Sequence, residues 1–160
     1  MRTNRRRRGF TLVEMLLSMA LMALIMVAAA VALRAAESAH SYNAEKAELV
    51  ARSRGVMDRL AMDVRRSASF EVPTGTSVNI TLADGSVHSY SWDGQSPGTL
   101  QYVEVPAGEL LPTPAVTLTA YVTTFSVQEA ESGCLFSLTL TGSEATSHAT
   151  ITATPGKSLY

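Results

Sequence analysis

Residues 9–33 read GFTLVEMLLSMALMALIMVAAAVAL, and the 24 residues that follow Gly9 in this run carry one charge, Glu14. At about 1.5 Å rise per residue, such a segment makes a helix of roughly 36 Å, long enough to cross a hydrocarbon core of roughly 30 Å. The run therefore predicts a membrane span. Arg5, Arg6, Arg7 and Arg8, with Arg2 before them, stand directly N-terminal to it, whereas Arg34 and Glu37 nearly cancel on the far side. By the positive-inside rule the arginines stay cytoplasmic and the chain from Arg34 onward lies outside the cytoplasm. Glu14 is the anomaly, because a carboxylate at bilayer depth costs about 2.5–3.5 kcal/mol on insertion scales. Its shallow position, one turn in, lowers that cost, yet an acid there still needs a partner.

The sequence Gly9-Phe10-Thr11-Leu12-Val13-Glu14, after a short basic leader and before an apolar helix, resembles the type IV prepilin and pseudopilin signature. The resemblance implies that a prepilin peptidase cuts after Gly9, that the new N-terminus at Phe10 is N-methylated, and that Glu14 attracts the Phe10 amine of a neighbouring subunit. It implies as partners the peptidase, other pilin or pseudopilin subunits, an inner-membrane assembly platform and membrane lipid, and no cofactor. Localisation follows as the bacterial inner membrane, single-pass with the head periplasmic, and then a filament. Electrostatics fits the same pairing. A free amine on Phe10 lies at the positive end of its own helix dipole, which is unfavourable, so a carboxylate partner is worth more there. In low dielectric an unpaired Glu14 is penalised and a paired one is stabilised. Gly9 lacks a side chain and lets the backbone leave helical geometry for a protease.

After the leader and the span about 125 residues remain, a typical size for one domain. Formal net charge is −1, but it is unevenly spread. Seven basic residues lie between Arg34 and Arg66, whereas from Ser67 onward eight acids (Glu71, Asp84, Asp93, Glu104, Glu109, Glu129, Glu131, Glu144) face only Lys157. An acidic head argues against nucleic-acid binding. Cys134 is the only cysteine, so no intramolecular disulfide closes the C-terminal region as it does in many pilins, and a small buried apolar role in the strand CLFSLTL is its simplest reading.

From Arg34 the chain keeps good helix formers and no proline up to Pro73, which predicts that the membrane helix continues to about Ser69, a helix of roughly 60 residues near 90 Å. Val56, Met57, Leu60, Ala61, Val64 and Ala68 recur at spacings of three and four and mark one apolar face. Arg52, Arg54, Asp58, Arg59, Asp63, Arg65 and Arg66 fall mainly on the other side, with Glu48 and Arg52 at a favourable i,i+4 spacing. Gly55 costs the helix about 1 kcal/mol relative to alanine. After Pro73 the pattern changes to short Val/Ile/Thr/Tyr runs between turns. Strands are expected at 77–82 and 87–92 around the turn Ala83-Asp84-Gly85-Ser86, at 99–105, and near 116–128, 134–141 and 148–154. The predicted organisation is a leader 1–9, an assembly helix 10–33, an amphipathic continuation 34–69 and a β-rich head 70–160. The predicted fold is α+β, with the helix packed on a mainly antiparallel sheet.

The layout is similar to the J-type minor pseudopilins of type II secretion and the W-type minor pilins of type IV pili. The residues concerned are 59–65 (RLAMDVR), Tyr90-Ser91-Trp92 with Gly98-Thr99-Leu100, and Phe125. Many major pilins carry a proline partway along the span; its absence here favours a minor component. Some pseudopilins bind calcium in head loops, but such a site needs clustered acids. Asp84 and Asp93, each beside a glycine, are explained by Asx-type turns. His40, His88 and His148 have no metal-ligand spacing, and a surface or packing role is expected for them. Tyr90 and Trp92 suit core packing better than a contact patch, and Met15, Met19, Met22 and Met26 are adaptable packing in the span. No nucleophile with a base, phosphate-cradling loop or Cys-x-x-Cys pair appears, so no enzymatic activity is expected. The competing reading is an exported binding protein or enzyme. Ala30-Val31-Ala32 would be its signal cleavage site, or Arg7-Arg8-Gly9-Phe10 a twin-arginine signal. The apolar run exceeds the roughly 7–15 residues of a signal h-region.

Overall fold

The structure, a computed structural model, describes residues 11–130 and 133–155. Its single α-helix, α1, runs Leu12–Arg66, and seven strands follow: β1 Ser67–Thr74, β2 Ser77–Leu82, β3 Val87–Trp92, β4 Gly98–Val105, β5 Val116–Ala130, β6 Gly133–Thr141 and β7 Thr146–Ala153. The chain divides into two compact units between Ser41 and Tyr42.

In the first unit the described residues are helical from Leu12, and their apolar side chains are exposed all round, from Leu12 (76%) to Leu33 (62%). Here α1 contains an 18-residue window of mean hydropathy 2.6, none of it buried, and is long and apolar enough to cross a membrane. A helix that is apolar on every side and touches no core is suited to lipid or to other apolar helices.

In the second unit, all seven strands join in one antiparallel sheet in the order β1-β2-β3-β4-β5-β6-β7, each strand pairing with its neighbours in sequence. The C-terminal part of α1 packs on this sheet through Leu49, Val56, Met57, Leu60, Ala61 and Val64, all buried. They face Val78, Ile80, Tyr90, Leu100, Val122, Phe125, Phe136, Leu138 and Leu140 in the core. The spacing-of-three-and-four pattern thus marks the docked face as expected, and a leucine such as Leu60, fully buried, contributes about 1.5–3 kcal/mol. β2 buries Val78 and Ile80 and leaves the alternate positions half-buried, as period-two reading requires. The sheet also curls: Val127 N–H donates to the Gly75 carbonyl (2.8 Å), so the far end of β5 meets the β1–β2 turn.

Three expectations need correction. The helix stops at Arg66, not Ser69, and residues 67–74 form β1 on the edge of the sheet. Ala68 consequently belongs to a strand rather than to the apolar helix face. Ser67 Oγ donates to the Val64 carbonyl (2.7 Å), satisfying one of the free carbonyls of the last turn while the chain turns into the sheet. Pro73, read as the boundary before the strands, lies within β1; an edge strand tolerates it, and the register shifts between Glu71 and Thr74. Asp63 is not on the solvated side of the helix: it is 9% exposed, and Arg59 is half-buried beside it. The other strands fall within two residues of their expected bounds, and the expected turn at Glu131-Ser132 lies outside the described residues.

Candidate functional site

The sequence places function at the start of α1, on Gly9, Phe10 and Glu14. Gly9 and Phe10 lie outside the described residues; Glu14 is in the first helical turn and exposed. Thr11 is the N-cap: its carbonyl accepts from Met15 N–H (3.1 Å) and its Oγ1 from Glu14 N–H (3.3 Å). Thr11-Leu12-Val13-Glu14 therefore has the spacing of a capping box, which a reading focused on charge passed over although the S/T-x-x-E pattern was there to find. Two consequences follow for Glu14. It stands where the helix dipole favours a negative charge, by about 0.3–1 kcal/mol. Its carboxylate is also the only charged group on the exposed apolar helix surface between Leu12 and Leu33.

The second unit holds two polar clusters that fix α1 to the sheet. In the first, Asp63 Oδ2 accepts from the Tyr90 hydroxyl (2.5 Å) and from His88 Nδ1 (2.7 Å), both on β3. Arg59, one turn before, lies 4.0 Å from the centroid of the Tyr102 ring on β4, and Tyr102 donates to Glu104 Oε2 (3.0 Å). His88 and Tyr90 both pack against that same Tyr102 ring. Burial first, and then the bond to Asp63, raise the Tyr90 phenol well above its ordinary range, so it stays a hydrogen donor at any physiological pH. This explains His88 as a packing residue with a named partner. The arrangement around Asp63 is that of a satisfied interior network.

In the second cluster Glu45 receives four hydrogen bonds from the β6–β7 turn: Ser143 N–H (2.6 Å), Ser143 Oγ (2.9 Å), Glu144 N–H (2.8 Å) and Ala145 N–H (3.0 Å). The Ser143 N–H is the leading cause that lowers the Glu45 carboxyl below its usual range. A Cβ at Gly142 would overlap this carboxylate, which accounts for glycine there. No local pattern pairs Glu45 with a turn 98 residues away, and sequence reasoning did not find it.

The remaining sequence candidates fall as follows. Asp84 accepts from Ser86 Oγ (2.6 Å) and Ser86 N–H (2.9 Å), and Asp93 from Gln95 N–H (3.0 Å) and Thr99 N–H (2.9 Å), so each serves its own turn. Tyr90 is fully buried and Trp92 packs partly buried against the core. His148 bonds Thr139 and Thr150 on the sheet surface, and His40 is exposed on the helix. Cys134 is buried, its thiol pushed up to about 11 by burial and secondarily by Glu129. Among the described residues, no three His, Cys, Asp or Glu side chains are grouped to hold a metal ion.

No curated protein and no solved structure matches this chain. Its N-terminal segment, residues 4–30, matches the family model described as the prokaryotic N-terminal methylation motif, a type IV prepilin-like signature that supports a type IV pilin-like or pseudopilin subunit anchored in a membrane by its apolar helix.

Proposed function

We propose that this chain is a minor, non-catalytic structural subunit of a type IV pilus-like or type II secretion pseudopilus filament. Prepilin peptidase cuts after Gly9, Phe10 is N-methylated, and Glu14 holds the Phe10 amine of a neighbouring subunit during assembly. The observation that carries this reading is Glu14 itself: one carboxylate in the first turn of α1, on an otherwise uncharged and exposed apolar stretch from Leu12 to Leu33, inside the methylation motif. In a lipid or helix-bundle environment that charge is costly alone and stabilised by a cation, and cleavage after Gly9 creates a cation at the required end of the helix. The uncharged span is otherwise suited to bundling with like helices, and the head, fixed to α1 by the Asp63 and Glu45 clusters, remains outside the membrane as the exposed body of the subunit.

Mass spectrometry of the mature protein tests processing. A methylated N-terminus at Phe10 is expected; an unmodified N-terminus at Leu33, after Ala32, would instead support export through an ordinary signal peptide. Glu14→Val is expected to be cut and methylated normally while its recovery in the filament fraction falls at least tenfold. Wild-type incorporation of that variant refutes the pairing.

A further inference from the structure

One feature of the docked helix is not required by the fold. Gly55 lies in the interior of α1, where glycine costs about 1 kcal/mol relative to alanine. Yet a Cβ built on it meets nothing within 4 Å, and its φ is not in the left-handed region. Gly55 is the floor of an open groove of about 250 Å³, lined by Ala51, Arg52, Gly55, Val56, Arg59 and Leu118. The lining is apolar along its length with two guanidinium groups beside it. Arg52 reaches Glu48 (2.5 Å) on the solvent side, and Arg59 lies over the Tyr102 ring.

The same molecule carries a projection of complementary chemistry. Between β4 and β5, Leu110 is 98% and Leu111 78% exposed, the most exposed pair of adjacent large apolar residues in the second unit. The loop is held in shape at its base. Thr113 N–H donates to the Glu104 carbonyl (2.7 Å), Glu104 N–H to Thr113 Oγ1 (3.1 Å), and Glu109 N–H to the Pro106 carbonyl (3.1 Å). Pro106, Pro112 and Pro114 stiffen the flanks, and Gly108, at φ 79°, makes the reversal before the leucines. Two leucines on a pre-organised loop lose little entropy on docking. Glu109 precedes them, and its charge suits a socket with basic walls rather than an anionic lipid surface.

We propose that the Glu109-Leu110-Leu111 loop of one copy seats in the Gly55 groove of a second copy of this chain, with Glu109 against Arg52. Every copy carries both surfaces, so one copy's loop meets the groove of its neighbour. Charge complementarity and the unfilled notch select this occupant: the groove belongs to the arginine-rich helix segment, the projection to the acidic head. The buried area is far below the roughly 1,200 Å² of a stable soluble interface, so the contact acts between copies already concentrated in one membrane or filament. The inference rests on the reading of the chain as an assembling subunit.

The test uses the full chain in membranes of cells that process it, with Cys134→Ala in every variant. Two differently tagged copies are co-expressed, one Leu110→Cys and the other Gly55→Cys, and oxidised briefly. A mixed-tag disulfide adduct is expected, at least fivefold above the pair Leu110→Cys with Thr76→Cys. Glu109→Lys on the loop copy is expected to reduce the adduct several-fold, and Arg52→Glu on the groove copy to restore it. Adduct no greater than the Thr76→Cys control overturns the proposal, as does a cross-link from Leu110→Cys to another protein only, or to the loop's own chain. Gly55→Leu guards against misfolding as an explanation. It fills space the fold leaves empty, so expression and protease resistance should hold while self-association measured through an Arg54→Cys probe falls. Each sample is also analysed for its N-terminus. Correct processing at Phe10 without the adduct refutes the contact alone, whereas an uncut leader refutes the subunit reading beneath it.

Discussion

Replacing Asp63 by alanine should be among the most damaging single changes in the head, and its cost can be built from the contacts. Asp63 accepts from a fully buried hydroxyl, Tyr90 at 2.5 Å, and from His88 at 2.7 Å. A hydrogen bond to a charged acceptor contributes about 1.5–3 kcal/mol, and stranding a buried hydroxyl costs about 1–3 kcal/mol. The Asp63 and His88 side chains keep 13% and 14% of their surface, so water recovers part of that, and about 3 kcal/mol is the value to expect for Asp63→Ala. Tyr90→Phe removes one bond to the carboxylate and leaves it with His88, for about 1.5–3 kcal/mol. In the double variant no hydroxyl is left to strand, so the combined loss falls short of the sum by about 1–2 kcal/mol. Urea melts of the full chain in detergent, followed by the single tryptophan, Trp92, which packs on the core, measure all three. Losses that add within about 0.3 kcal/mol, or an Asp63→Ala cost below about 1 kcal/mol, would refute the account of this cluster.

Glu45→Gln should free the β6–β7 turn from the helix, read as faster amide exchange at Ser143, Glu144 and Ala145 while strands β2–β4 stay protected; unchanged exchange at the turn counts against the clamp. Because the folded Glu45 carboxyl titrates below its ordinary value of 4.5, its contribution is complete above that pH and disappears as pH falls through the lowered folded value. Wild-type turn amides should lose protection as the pH falls below 4.5, and the Gln variant should show no such transition. Cys134, buried and with its thiol raised to about 11, should resist a neutral thiol reagent at pH 8 in the folded chain and react at once in urea; rapid labelling of the native protein would place it at the surface.

What could be read from the residues alone were the regularities with a short period. The three-and-four spacing from Val56 to Val64 located the docked face, and alternation at Val78, Ile80 and Leu82 located a strand and its inner side. Asp84-Gly85 marked a hairpin because glycine takes φ 88° there without strain. β1 escaped because its sequence, SASFEVPT, combines small residues with a proline, and its edge position makes that proline harmless. Asp63 was misplaced for a different reason: a charged residue near a helix boundary looks solvated until the sheet brings His88 and Tyr90, 25 and 27 residues later, to meet it. Glu45 is the extreme case, since its partners are 98 to 100 residues away and neither side has a local signature. At the N-terminus, motif and charge single out Glu14, while the Thr11 hydroxyl that caps its helix was legible and overlooked.

The order of the sheet also bears on how the head acquires its structure. In a meander every ladder closes a short loop, so the entropy lost at each step is small and low contact order favours rapid zipping from hairpin to hairpin. The helix is synthesised first but cannot complete its docking until the final hairpin exists, because the Ser143–Ala145 turn that grips Glu45 and the Ser147 hydroxyl that meets Ser53 (3.3 Å) are made last. A chain cut before the β6–β7 turn would therefore lack every partner of Glu45 and the Ser53–Ser147 contact. Full docking of residues 45–53 of α1 on the head is thereby a check on whether translation reached the last strand.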